Sequence, residues 1–152
     1  MSRNVKSYFE VHSHNYSHAE LYPLIIDKIK NSISIDIDTK LLDVGCGDGS
    51  FIKSLVKAGL KMDFFATDIS LKMLEQAREN LRDYDVALFV ADAFKIPVTS
   101  DMKFDVIHID SVLHHLIGKT RGKSTLLIKK MLGLLVAKLS SNGILIVEEW
   151  YY

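Results

Sequence analysis

Leu41-Leu42-Asp43-Val44-Gly45-Cys46-Gly47-Asp48-Gly49-Ser50-Phe51 is the stretch that decides the fold. Leu41, Leu42 and Val44 make a short apolar run with strand character, and three alternate glycines follow it at once. Glycine removes the side chains that would crowd a turn. Beyond the turn, Ile52, Leu55 and Val56 mark one face of a short helix that Gly59 ends. The stretch therefore reads as a buried strand, a glycine turn and the start of a helix. Gly45 suits the sharp exit from the strand, Gly47 a close approach of backbone to ligand, and Gly49 the packing of the helix on the sheet. Helix N-terminal N–H groups and the positive end of the dipole then point above the strand ends. A small molecule with negative or acceptor groups belongs there.

Working outward, the same alternation of strand and helix recurs. Ser17 and Glu20 have capping-box spacing ahead of Leu21, Leu24, Ile25, Ile26 and Ile29, and Pro23 places the regular helix start near Tyr22. Ile33, Ile35 and Ile37 read as an extended lead into the first strand. Strands are expected over 62–67, 86–91, 104–109 and 144–147, with Asn142-Gly143 as the turn into the last. Ser70 caps a helix whose inner face is Leu71, Leu74, Ala77 and Leu81, with Met73 beside it. A longer helix carries Leu127, Ile128, Met131, Leu132, Leu135 and Leu139 at helical spacing. Such alternation implies parallel βαβ units and a doubly wound, mainly parallel α/β sheet.

In these sheets ligands sit beyond the carboxyl ends of the strands, where strand order reverses. Asp43 ends the first strand, and Asp68, Asp92 and Asp110 directly follow the next three, so carboxylates gather on one rim. Asp68 stands about 20 residues past the glycines, the spacing at which an acid accepts hydrogen bonds from a ribose. Ile69 follows it, apolar and able to lie against a purine. A dinucleotide fingerprint wants Gly-x-Gly-x-x-Gly, and Ser50 occupies its last position here. A nicotinamide-dependent oxidoreductase is for that reason the weaker reading.

The form Asp43-x-Gly45-x-Gly47-x-Gly49 resembles the first motif of class I S-adenosylmethionine-dependent methyltransferases. Val90-Ala91-Asp92-Ala93-Phe94 resembles that family's motif after strand three, and Asp110-Ser111-Val112-Leu113-His114-His115-Leu116 the one after strand four. The resemblance covers about residues 40–149 and implies a Rossmann-like methyltransferase fold. It implies S-adenosyl-L-methionine as cofactor and S-adenosyl-L-homocysteine as product. Asp68 would bind the ribose hydroxyls, with Asp92 at the adenine amino group and the Ala93 amide at a ring nitrogen. Asp110 would lie at the amino-acid end with Asp43 and the Gly45 carbonyl. Cys46 lies inside the turn among these residues, as a packing group rather than a nucleophile, because no partner base is evident.

Methyl transfer from a sulfonium is an in-line displacement that depends largely on positioning, and alignment alone can lower the barrier by about 7–11 kcal/mol. No catalytic triad is needed, and none is visible. His115, with His114 beside it, is the one candidate general base, against the simpler reading that one packs on the cofactor and the other faces solvent. The acceptor implied is a small molecule. A non-catalytic cofactor-binding or partner-binding domain is the alternative.

The chain has 152 residues, enough for one domain with a real core, and its 19 basic residues balance 19 acidic ones. No global field favours nucleic acid or an anionic membrane surface. The single cysteine suggests a reducing compartment, and neither a signal peptide nor a spanning run of about 18 apolar residues is evident, so a cytoplasmic domain is expected. Residues 1–39 read as an N-terminal helical cap or lid and 40–152 as the cofactor-binding domain. His12, His14 and His18 lack metal-ligand spacing, so no metal site is expected. Lys119, Arg121 and Lys123 read as a solvated basic loop. The resemblance implies two further strands after the fifth, so the sequence reads either as a piece of a longer protein or as a shortened member, whose fifth strand would be an edge open to pairing with a second copy.

Overall fold

The computed structural model describes residues 19–149, and the sheet is built outward from the strand of the glycine stretch. That strand, β1 (Lys40–Val44), is buried at Leu41, Leu42, Asp43 and Val44. It lies in the middle of a five-stranded sheet of order β3-β2-β1-β4-β5, in which every neighbouring pair is parallel. Its partners are β2 (Asp63–Asp68), β3 (Val86–Val90), β4 (Phe104–Asp110) and β5 (Leu139–Glu148). A strand covered on both faces reads as a continuous apolar run, and this is why β1 and β4 do not alternate with polar residues. The covering helices are α1 (Tyr22–Ser32), α2 (Ser50–Lys57), α3 (Leu71–Asn80) and α4 (Arg121–Val136). The doubly wound α/β class expected from the sequence is the one found.

Pleating divides the core in two. Leu41, Phe64, Ala66 and Val106 face a cluster with Ile25 and Ile29 of α1, Ile52 and Leu55 of α2, and Leu74 and Ala77 of α3. Leu42, Val44, Phe104, Ile107 and Ile109 face the opposite way, onto Met131 and Leu135 of α4. Because successive strand residues point to opposite faces, Asp43 and His108 lie on the same side as Leu41 and Val106. Strand order reverses between β1 and β4, which opens a crevice at the carboxyl ends of these two strands.

Local signals hold in several places. Pro23 occupies the first turn of α1, the Ser70 hydroxyl accepts from the Met73 amide at 3.3 Å, and residues 33–37 form no strand. Four details differ from expectation. Leu71 is 53% exposed, because the buried face of α3 runs through Met73, Leu74 and Ala77 and leaves Leu71 off to one side. Leu139 does not extend α4: the Phe104 amide donates to the Lys138 carbonyl at 2.9 Å and draws the chain into the sheet, so β5 starts there. Asn142-Gly143 is accordingly no turn before the strand but part of an irregularity within it, where pairing jumps from Phe104–Leu139 to Val106–Ile144. A Cβ at Gly143 would stand 2.8 Å from the Phe104 carbonyl oxygen, so glycine lets the backbones pass. Arg121 and Lys123 lie in the first turn of α4 rather than in a loop, capped by the Thr120 hydroxyl. Of the cap or lid expected over residues 1–39, residues 1–18, with Ser17 and the histidines His12, His14 and His18, lie outside the described residues.

Candidate functional site

The glycine turn leaves β1 with all three glycines in the left-handed region, at φ +75° for Gly45, +54° for Gly47 and +79° for Gly49. The Gly45 and Cys46 amides donate to the Thr67 carbonyl at 2.7 and 3.0 Å, which ties the turn to the end of β2. A Cβ at Gly45 would lie 2.4 Å from Val112 Cγ2, and one at Gly49 would lie 2.6 Å from Leu81 Cδ1. Gly49 thus makes room for the end of α3 rather than for the sheet. At Gly47 the nearest atom is the flexible Met73 methyl at 3.3 Å, so nothing rigid in the fold demands glycine there except the backbone conformation.

Asp68 joins this turn directly. Its Oδ2 accepts from the Gly47 amide at 3.1 Å and its Oδ1 from the Ser70 amide at 2.8 Å. Burial pushes its carboxyl up from 3.8 to about 6; the Ser70 and Gly47 amides oppose the rise, and the charge of Asp43 adds to it. Ile69, half-buried, follows on the same loop. Beyond β3, Asp92 Oδ1 accepts from the Phe94 amide at 2.9 Å and Ala93 is buried. The Ala91 amide donates to the Asp68 carbonyl at 2.9 Å, so the loops after β2 and β3 are bonded to each other. Asp110 ends β4, where its Oδ1 accepts from the Ser111 hydroxyl at 2.7 Å. Ser111 has φ +54°, a left-handed residue at the crevice mouth. The expected rim of carboxylates is therefore at the carboxyl ends of successive strands, with Asp68 in hydrogen-bond contact with the turn. An open groove lined by Lys30, Ile33, Ile35 and Leu60 lies elsewhere, near the amino ends of the strands, and none of the rim acids lines it.

Cys46 is buried, and its thiol is pushed up by burial and then by the charges of Asp43 and Asp68. A thiol held protonated is a poor nucleophile, in keeping with a packing role. His115 is half-buried in a single 3₁₀ turn, Leu113–His115. Burial and then the neighbouring His114 push it down to about 4, against the pull of Glu149. It is neutral at neutral pH, and a value so far below 7 makes it a weak base. Glu149 fixes the turn: its Oε2 accepts from the Leu113 amide at 2.7 Å and its Oε1 bonds His114 Nδ1 at 2.6 Å.

One buried constellation was not foreseen. His108 Nδ1 lies 2.7 Å from Asp43 Oδ1, and its Nε2 lies 2.7 Å from Glu148 Oε1. All three side chains are buried, and Phe51 of α2 stacks on the imidazole at 3.7 Å between ring centroids. Burial alone would push the histidine down, but Asp43 and Glu148 override it and hold the ring up at about 9. Asp43 Oδ2 has no hydrogen-bond partner among the described residues. The signal in the sequence was a polar residue inside each of two largely apolar strands, Asp43 and His108, and Glu148 at the end of a third; what it lacked was the register, Asp43 beside His108, that brings them together.

A glycine turn at the switch point of a doubly wound parallel sheet, with acids at the strand ends, defines the class of α/β domains that bind a small ligand above the sheet. Residues 41–133 match the family model described as a methyltransferase domain, and the chain belongs to that family. It is 29% identical over 98 residues to 27-O-demethylrifamycin SV methyltransferase of Amycolatopsis mediterranei, an alignment that takes in 60% of this chain and 35% of that protein. It is 36% identical over 78 residues to the malonyl-[acyl-carrier protein] O-methyltransferase of Legionella pneumophila, covering 49% of this chain and 26% of the relative. The crystal structure of an S-adenosylmethionine-dependent methyltransferase from Thiobacillus denitrificans, in complex with S-adenosyl-L-homocysteine, superposes with a TM-score of 0.67 at 19% identity, over 97% of this chain and 55% of the other. The chain thus spans less than two thirds of the length of each of these relatives.

Proposed function

We propose that this chain is the cofactor-binding part of an S-adenosylmethionine-dependent methyltransferase that acts on a small-molecule acceptor. The observation that carries the reading is the bond between Asp68 Oδ2 and the Gly47 amide, which sets a ribose-type acid against a side-chain-free turn. The residues fit the cofactor on two further grounds. A Cβ at Gly47 would meet only the movable Met73 methyl, at 3.3 Å, so packing alone does not call for glycine there, in keeping with a backbone left bare for a ligand. Asp43 also keeps one buried carboxylate oxygen without a partner among the described residues.

Asp68 would hold the ribose hydroxyls, with Ile69 against the purine and Asp92 and the Ala93 amide at its edge. Gly45, Cys46, Gly47 and Gly49 would line the amino-acid arm, with Asp43 and Asp110 as acceptors for its ammonium. The cofactor, when bound, supplies the electrophilic methyl group. The chain's own task is alignment and exclusion of water; His115, the candidate to take a proton from the acceptor, is neutral near pH 7 but a weak base there, so alignment carries most of the chemistry. An acceptor of small size is supported by the rifamycin substrate named for one relative, whereas the malonyl substrate named for the other is borne on a carrier protein.

Titration calorimetry with S-adenosyl-L-homocysteine, alongside release of labelled methyl from S-adenosyl-L-methionine, tests the reading. Saturable binding with slow methyl release, accelerated by an acceptor, is the expected result. Tighter binding of a nicotinamide dinucleotide would replace the reading, and binding with no methyl release under any acceptor would reduce it to a sensor or binding domain.

A further inference from the structure

The Asp43–His108–Glu148 constellation is not accounted for by the cofactor contacts above. Two carboxylates flank the imidazole at 2.7 Å, one at each nitrogen. Where both carboxylates are ionised they can only accept, so each ring nitrogen then carries a hydrogen and the ring is an imidazolium, in keeping with the upward pull of Asp43 and Glu148 on His108. Three strands supply the members: Asp43 from β1, His108 from β4 and Glu148 from β5. Phe51 covers the ring, which shuts out water and strengthens both contacts. With both acids ionised the group carries one net negative charge, one residue short of the carboxyl end of β1, where the glycine turn begins. The charge of Asp43 is felt at Cys46 and at Asp68, so it lies within reach of the glycine turn. Its Oδ1 is committed to His108, while Oδ2 is buried and has no partner among the described residues. A buried carboxylate oxygen left in that state is costly unless a donor arrives.

We propose that His108 is a positioning residue: its imidazolium fixes the Asp43 carboxylate through Oδ1 so that Oδ2 is held ready to accept from the ammonium of the cofactor's amino-acid arm. This rests on the cofactor reading given above. The remaining negative charge complements one cationic group, and an ammonium is the donor that the amino-acid arm carries. Without His108, Asp43 and Glu148 repel each other and the Asp43 carboxylate rotates or takes up a proton. Either change removes the acceptor.

The test joins nitrogen NMR of histidine-labelled wild-type protein at pH 7 to calorimetry with S-adenosyl-L-homocysteine. The calorimetry uses wild type, His108→Gln, Asp43→Asn and the double variant, each at a temperature where circular dichroism shows it folded. Both ring nitrogens of His108 should be protonated, and ligand should shift their signals. Each single variant should lose about tenfold in affinity, the size of one charge-assisted contact, and the double variant no more than either. A His108 ring with one bare nitrogen, ring signals that ignore the ligand, wild-type affinity in His108→Gln, or losses that multiply would each overturn the proposal. The two wild-type NMR readouts decide it even where a variant does not fold. Failure of wild type to bind the ligand at all would overturn the cofactor reading as well, whereas normal wild-type binding with an indifferent His108 overturns this inference alone.

Discussion

At the scale of single residues, two buried ionisable groups should govern how the protein responds to pH. Asp68 is pushed up by burial to about 6. Ribose hydroxyls donate to the ionised carboxylate, so binding favours loss of the proton and affinity rises with pH. Between pH 5 and pH 7.5 the affinity for S-adenosyl-L-homocysteine should rise about tenfold and then level off. Calorimetry across that range checks it, and Asp68→Asn should bind about 1–3 kcal/mol more weakly with no such pH slope. His108 works in the opposite sense and on stability. Burial opposes its charge, yet Asp43 and Glu148 raise it from 6.5 to about 9. A raised histidine contributes its stability in full below about 6.5 and loses it as pH climbs through 9. The melting temperature should therefore fall between pH 7 and 9.5. His108→Leu strands two buried carboxylates and should cost about 3–5 kcal/mol, with that alkaline fall abolished.

At the scale of the element, the glycine turn separates what the fold needs from what the ligand needs. Gly45→Ala meets Val112 Cγ2 at 2.4 Å on top of a left-handed φ of +75°. It should lose about 2–4 kcal/mol of stability by denaturant unfolding. Adding Val112→Ala should recover the contact part and leave the backbone part, about 1–2 kcal/mol. Gly47→Ala meets only the movable Met73 methyl at 3.3 Å, so it should fold with the backbone penalty alone and yet bind ligand poorly. Equal effects of the two alanines on stability and on binding would show the turn to be structural throughout. This element was legible in the sequence because everything that specifies it is local: an apolar run, alternating glycines, then helical spacing. The rim acids were legible for the same reason, each sitting at the end of a periodic segment. The Asp43–His108–Glu148 group was not, since it depends on the pairing of β1, β4 and β5, and no spacing along the chain states which residues become neighbours. The start of β5 was misplaced for a kindred reason. Asn142-Gly143 carries turn chemistry, but the Phe104–Lys138 hydrogen bond and the close approach at Gly143 turn it into an irregularity within the strand.

At the scale of the whole molecule, the site belongs to no single element. The turn after β1 is bonded to the end of β2 through Thr67, the loop after β2 to that after β3 through the Ala91 amide, and the loop after β4 to β5 through the Ser111 amide and the Glu148 carbonyl. A ligand that touches the acids after β1, β2, β3 and β4 closes a ring of contacts across the crevice at which strand order reverses. It binds the folded chain and not the unfolded one, so its binding energy adds to stability. At a concentration of 100 times Kd the gain is about 2.7 kcal/mol. For a domain of this size that corresponds to a rise of about 5–11 °C in melting temperature. S-adenosyl-L-homocysteine should produce such a rise in wild type, and nicotinamide dinucleotide at equal concentration should produce none. Asp68→Asn and Gly47→Ala should each shrink the shift while leaving the unliganded melting temperature closer to wild type than Gly45→Ala does. A shift that survives both substitutions would place the ligand away from the turn, and the carboxylate rim would then be a feature of loop capping alone.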